Sequence, residues 1–555
     1  MVSRDIMQNL NDSISPCDDF YTFACGGWMR ANPIPIGYNK WSTARNVSHK
    51  VAQFVKQIID FTRPNDPPSR GLNLSRSFFK SCMDVAAIDA RGFIPLFRSF
   101  VKLFGGWSLL PAESKAAHPA NDSKLTTDNF SLTGLYLPLF RLFGSSPIFD
   151  IDVERRLENT TQFIIQISEG SVGLEKERYK DECDNTHYEV SAQRRHHFNL
   201  FRKTKRADDR NNLDLELDCV TVKLGELQKF CPVIDWKWLL NELFKPLQYT
   251  VDENQLIAID NKEDLRLRCG LHDLYLHDND GIRTLHNVAI WQFLWRTTRL
   301  MPDNVNQAMK EFKMALYGTP EEKPRWELCV SQVSSYFTMV IGRLYAREHL
   351  ERNQTDAVKN IDVEFGSPPD IWNITKENKT YLHMSQIDDK KYFENNLICM
   401  EALVLNNLQQ LIEEDKHRWT MSPIEVNAVY VGSKNQVNIP AGILQYPFYC
   451  VHCPTVYNYG GLGEVFGHEL AHALDYEGSK RDPEGNLRNW WTNQTREVYK
   501  NRSQCFVEQY NNITVLNSKI DGKLTLGENI ADNVGLQVAF KVSLNLLHFC
   551  NSTDN

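Results

Sequence analysis

No stretch of this 555-residue chain reaches the roughly 18 uninterrupted apolar residues that a membrane-spanning helix requires. The best candidate, 135–149, carries Arg141 in its middle. The start, Met1-Val2-Ser3-Arg4-Asp5, lacks the apolar stretch of a signal peptide. A concentrated basic face is also missing. The 62 Lys and Arg stand against 70 Asp and Glu, and the net charge of −8 is spread along the chain. The one basic cluster, 194–206, is interrupted by Phe198, Leu200 and Phe201 and followed by Asp208 and Asp209, so it reads as a solvated helix or loop. Nucleic acid is therefore excluded as a partner. There is no internal repeat and no low-complexity tract, and 42% hydrophobic residues with 11% aromatics exclude a disordered chain.

What is present describes a large globular protein. A chain of this length outgrows a single small core, which predicts two lobes. Thirteen cysteines and 13 Asn-x-Ser/Thr sequons are both more than a cytosolic chain needs. Chance would give roughly five sequons, so most mark glycosylated surface. An oxidising, extracellular setting follows, secreted or as the ectodomain of a membrane-anchored protein. The missing signal then implies that the N-terminus is not the complete one. The odd cysteine count leaves at least one thiol without a partner in the chain.

Short helical patterns dominate, for instance 236–244 and 398–408. Residues 426–439, rich in Val, Tyr, Asn and Ile and stopped by Pro440-Ala-Gly442, read as a strand or hairpin. Residues 203–212 read as a loop. The polar segment 353–380, with three sequons, reads as surface that joins the lobes.

Chemistry enters at Gly460-Gly461-Leu-Gly463-Glu464, a turn followed by good helix formers, and then His468-Glu469-Leu-Ala-His472. Two histidines four apart stack on one helical face and can bind a single Zn²⁺ at about 2.0–2.1 Å. Glu469 is rotated by roughly 100° from His468, so it does not ligate in the same way but can act on the attacking water. The plain alternative is a helix with two exposed histidines and an ion-paired glutamate. Composition alone would place His-Glu-x-x-His in only about 0.03 of chains this long. Catalytic zinc takes three protein ligands and keeps one position open. The candidate third ligand is Glu528 in Leu526-Gly-Glu528-Asn-Ile-Ala-Asp532, with Asp532 one turn later to accept the second ring N–H of a ligand histidine. Taken alone, this second motif reads as an acidic surface turn.

The motifs Gly467-His-Glu-Leu-Ala-His472 and Gly527-Glu-Asn-Ile-Ala-Asp532 resemble the neprilysin and endothelin-converting-enzyme family of zinc metalloendopeptidases. So do Val426-Asn427-Ala428-Val-Tyr430 with Asn435-Gln-Val-Asn-Ile-Pro-Ala-Gly442, and Pro16-Cys17-Asp-Asp-Phe-Tyr-Thr-Phe-Ala-Cys25-Gly-Gly-Trp28. The resemblance runs from about residue 12 to 540. It implies a mainly α, two-lobed, gluzincin-type metallopeptidase with a small β element beside the zinc helix. It further implies a large internal cavity that limits substrates to small peptides. The helical lobe would be 12–370 and the zinc peptidase domain 371–555. One zinc per chain would sit on His468, His472 and Glu528, with Glu469 and Asp532 catalytic and Asn427 and Ala428 on the substrate backbone. Val429 stands where the family often has an aromatic, which alters the subsite there.

Only 23 residues follow Asp532, and the family continues further. In the family that tail carries a histidine and an arginine for the oxyanion and the substrate; His548 matches neither. The tail also pairs the cysteines matching Cys17, Cys25 and Cys505, so those three are expected to lack partners. Cys82 and Cys329 match a pair with both halves present. The expected function is hydrolysis of small extracellular peptides. The alternatives are a catalytically impaired zinc-binding homologue, or an active enzyme whose tail lies outside this chain.

Overall fold

The computed structural model describes residues 2–60, 69–110, 125–170, 219–302, 307, 311, 314, 323–349, 363–414, 418–515 and 518–552, the last seven by backbone only. The basic cluster at 194–206, the loop at 203–212 and the part of 353–380 before Val363 lie outside the described residues.

Helices build the larger lobe. In Thr43–Asp60, Val47, Val51, Val55 and Ile59 recur every four residues, and all four are buried. That spacing gives one apolar stripe facing one core. Helix Leu132–Phe143 buries eight of its 12 residues and packs against helices Trp236–Phe244, Asn279–Thr297 and Tyr392–Leu408. The most apolar segment of the sequence is thus a core helix, with Arg141 reaching out to Glu242 at 2.8 Å. No described helix is long and apolar enough to cross a membrane. Trp236–Phe244 spans the range read from the sequence, and 398–408 lies within Tyr392–Leu408. That latter helix, with Tyr381 and Met384, belongs to the larger core although it follows residue 370. A four-stranded sheet caps this lobe in the order β1-β2-β4-β3. Its strands are β1 Phe149–Arg156, β2 Asn159–Glu169, β3 Val220–Lys223 and β4 Leu256–Ile259.

Two disulfides lie inside this lobe. Cys82–Cys329 has its Cα atoms 5.8 Å apart, as the family resemblance implied, and Cys231–Cys269 had not been anticipated. Cys17, Cys25 and Cys505 carry no disulfide among the described residues.

The smaller lobe is organised by a three-stranded sheet, β5 (Val363–Gly366), β7 (Gln436–Pro440) and β6 (Val429–Val431), in that spatial order. β6 and β7 form the antiparallel hairpin expected from 426–439, and β5 pairs in parallel with β7. β6 is an edge strand. The core here is small: Val363, Ala428, Val437, Ile439 and Ile443, against which Val465 and Phe466 of the ligand helix pack. A cavity of ≈ 2040 Å³ opens on the larger lobe, bounded by helix Thr43–Asp60, helix Arg325–Tyr336 and the segment ending at Val426, one residue before Asn427.

Candidate metal centre

The chain approaches the site through one continuous helical run. Thr455–Asn458 is α-helical, Tyr459–Gly463 is a π-helical turn, and Glu464–His472 is α-helical again. The glycines expected to form a turn therefore widen a helix rather than break it. Gly461 is needed there because a Cβ would stand 2.4 Å from the Phe448 carbonyl oxygen.

The helix Leu526–Ser552 crosses this run closely. A Cβ on Gly535 would lie 2.5 Å from the His468 backbone nitrogen, and one on Gly467 would lie 2.9 Å from the Gly535 oxygen. These two glycines let the backbones touch. The contact places the first two turns of the second helix, with Glu528 and Asp532, over the histidine face.

The side chains meet as follows. His468 Nε2 and His472 Nε2 are 3.0 Å apart, and Glu528 Oε2 lies 3.4 Å from the first and 3.8 Å from the second. His468 Nδ1 is 2.9 Å from Asp532 Oδ1, and His472 Nδ1 is 2.7 Å from Asp475 Oδ2. These carboxylates accept the Nδ1 protons, which fixes the tautomers and turns both Nε2 lone pairs inward. Two lone pairs and a carboxylate oxygen then face one another with no proton between them. Such a trio repels itself unless a cation sits among it. Ligands about 2.0–2.1 Å from one tetrahedral zinc stand about 3.3 Å apart, and the three observed separations bracket that value. Zinc fits this donor set.

Asp475 was missed as a functional residue. Its signal was its place three residues after His472, a spacing at which helical side chains are neighbours. The helix ends at His472, and Asp475 Oδ1 accepts the N–H groups of Glu477 and Gly478 at 2.8 and 2.7 Å. Asp475 is buried, whereas Asp532 and Glu528 are exposed. The Asp475 hydrogen bond is the main cause that raises the His472 pKa.

Glu469 is buried and does not join the trio. Its Oε2 accepts the Tyr430 N–H of β6 at 2.7 Å. Burial pushes its pKa above the usual carboxylate range. The hydrogen bond ties the ligand helix to the edge strand. Asn427 and Ala428 lie just before β6 rather than within its ladder; Asn427 is exposed and Ala428 is buried. A second trio, Glu464, His468 and Asp532, also clusters within 4.8 Å, but there His468 Nδ1 is engaged by Asp532.

Residues 16–220 and 197–364 match an N-terminal profile of peptidase family M13, and residues 427–552 match a second profile of the same family. The chain belongs to peptidase family M13. It is accordingly a zinc metalloendopeptidase. It is 28% identical to endothelin-converting enzyme 1 of Rattus norvegicus, over 98% of this chain and 76% of that relative. It is 29% identical to an endothelin-converting enzyme homolog of Locusta migratoria, over 98% and 80%. Its fold is similar to that of the Mycobacterium tuberculosis zinc metalloprotease Zmp1 solved with an inhibitor. That match has a TM-score of 0.76 and 21% identity, covering 97% of this chain and 86% of that one. PepO from Lactobacillus rhamnosis gives a TM-score of 0.73 at 19% identity, covering 95% and 87%.

Proposed function

We propose that this M13 peptidase hydrolyses small extracellular peptides at one zinc per chain, held by His468, His472 and Glu528. The observation that carries the reading is the inward-facing trio of acceptor atoms, each histidine oriented by its own carboxylate. When bound, zinc polarises the scissile carbonyl and makes water a nucleophile near neutral pH. Glu469, outside the ligand set, takes the proton of the attacking water and delivers it to the leaving amine. Its raised pKa suits a group that must both accept and return a proton. Asp532 holds the His468 ring. Asn427 and Ala428, just before the edge strand β6, bind the substrate backbone as an added strand would.

The cavity reaches Val426, next to Asn427 in the chain, which favours a peptide small enough to enter it. We assign 12–370 to the helical lobe and 371–555 to the peptidase domain, whose helix Tyr392–Leu408 packs into the larger core. The extracellular setting is supported by the buried disulfides and by the sequons, since none of the described sequon asparagines is buried.

The test pairs metal content with peptide cleavage. Glu469→Gln is expected to keep one zinc per chain while hydrolysis falls by about 10²–10⁴, the usual contribution of a positioned base. Loss of zinc in parallel with activity would make Glu469 a structural residue instead.

A further inference from the structure

Three disulfides occur among the described residues, and they differ in setting. Cys82, Cys329, Cys231 and Cys269 are fully or almost fully buried, and their bridges span 247 and 38 residues. Cys450–Cys453 spans three residues, in Cys450-Val451-His452-Cys453. Both of its cysteines are partly exposed, and Val451 and His452 between them are exposed. Exchange requires a thiolate to reach a sulfur, so exposure governs which bridge reacts. A four-residue ring also constrains the unfolded chain least, so opening it need not unfold the protein.

The bridge adjoins the helical run that carries the zinc ligands. Asn458, at the end of its first helical turn, clasps Cys450 from both sides. The Cys450 N–H donates to Asn458 Oδ1 and Asn458 Nδ2 donates to the Cys450 carbonyl, each at 2.9 Å. Two residues before Cys450, the Phe448 carbonyl accepts the Leu462 N–H of the π-helical turn at 2.8 Å. Tyr446 stacks on Tyr457 with ring centroids 5.9 Å apart. The bridged loop therefore holds the start of the run that ends at His468 and His472, and the segment leading into the bridge holds its widened turn.

We propose that Cys450–Cys453 is a thiol-exchange site for dithiols, and that opening it loosens the seat of the zinc-ligand helix. One thiolate of the dithiol attacks a bridge sulfur. The S–S bond breaks, a mixed disulfide forms, and the other cysteine leaves as a thiolate that takes a proton. The second thiol of the reagent then attacks its own sulfur in the mixed disulfide and releases the other cysteine. Two electrons and two protons pass to the chain, and the reagent departs as a cyclic disulfide. The exchange itself is independent of the proposed zinc assignment; only its effect on metal binding rests on that reading.

The experiment uses the full chain and dithiothreitol. Free thiols are first blocked with one alkylating label, the protein is exposed to graded dithiothreitol, and new thiols take a second label read by peptide mass spectrometry. Cys450 and Cys453 are expected to take the second label together, at about tenfold less dithiothreitol than any buried bridge needs. Zinc affinity, measured in parallel with a chromophoric chelator, is expected to fall about tenfold, as when a ligand loses its support. The double variant Cys450→Ser/Cys453→Ser should show the weakened affinity without reagent and no further response to it. Labelling of the buried bridges first, or at the same dithiothreitol concentration, overturns the exchange site. Selective labelling with unchanged zinc affinity in both the reduced protein and the double variant overturns the coupling. Zinc binding absent before any reduction would instead refute the metal assignment.

Discussion

The two lobes are held together by different means. In the larger lobe, Phe78, Phe100, Tyr136, Phe140 and Trp236 are fully buried in one continuous core, and two disulfides cross it. In the smaller lobe the apolar core is five residues. Helix Asn493–Asn511 buries only Ser503, and on helix Leu526–Ser552 the large side chains Leu536 and Phe540 are exposed. The metal centre is thus built where hydrophobic burial is scarce. Its geometry rests on a glycine-to-glycine helix crossing, on carboxylates that orient histidines, and on a backbone hydrogen bond from β6 to Glu469. Donors positioned this way give up packing energy for accessibility, and metal binding supplies part of what packing does not.

That contrast can be broken by experiment. The largest effect belongs to the apolar core. Phe78→Ala should destabilise the larger lobe by about 3–5 kcal/mol while zinc affinity, measured by chelator competition, stays unchanged. A matching loss of zinc affinity would mean that the lobes are not energetically separable. Removing zinc should act in the opposite place. At a free zinc concentration of about 1,000 times Kd, binding contributes about 4 kcal/mol to the region that binds it. Chelation should therefore raise amide hydrogen exchange across 426–545 and leave the helices around Cys82–Cys329 protected. Uniform deprotection would refute the division.

Gly535→Ala probes the helix crossing. Its Cβ would meet the His468 backbone at 2.5 Å, so overpacking should cost about 1–3 kcal/mol and weaken zinc binding. Unchanged zinc affinity would show that the crossing does not position Glu528. The smallest effect sharpens the comparison within the site. Asp475→Asn should lower zinc affinity about 10–100-fold, and Asp532→Asn should lower it less. The reason is that Asp475 is buried while Asp532 is largely solvated, where water screens its interaction with the ring. Equal losses would remove burial as the explanation.

Much of the site was legible because helices are periodic. His468 and His472 had to share a face, and so did Glu528 and Asp532. The strand-rich stretch 426–439 had to form extended structure, and β7, buried at every position after Gln436 and ending at Pro440, agrees with that. Residues 194–206 fall outside the described structure, so that reading has no structural counterpart. The pairing of Cys231 with Cys269 was not legible. Connectivity among 13 cysteines is a property of the folded chain and not of spacing. Asp475 was not legible either, since its three-residue spacing does not by itself say that one oxygen turns to His472 while the other takes the N–H groups beyond the helix end.

The sequence by itself determined the reacting groups: two histidines one turn apart, a glutamate rotated off their face, and a second acidic pair at the same helical spacing. Those relations follow from 3.6 residues per turn and need no other part of the molecule. Only the tertiary structure decided that the two helices cross at Gly467 and Gly535, that Glu528 arrives within 3.4 Å of His468 Nε2, and that Cys450 and Cys453 close a loop against the ligand helix. Close backbone approach between distant segments depends on packing across the whole lobe, and no local periodicity encodes it.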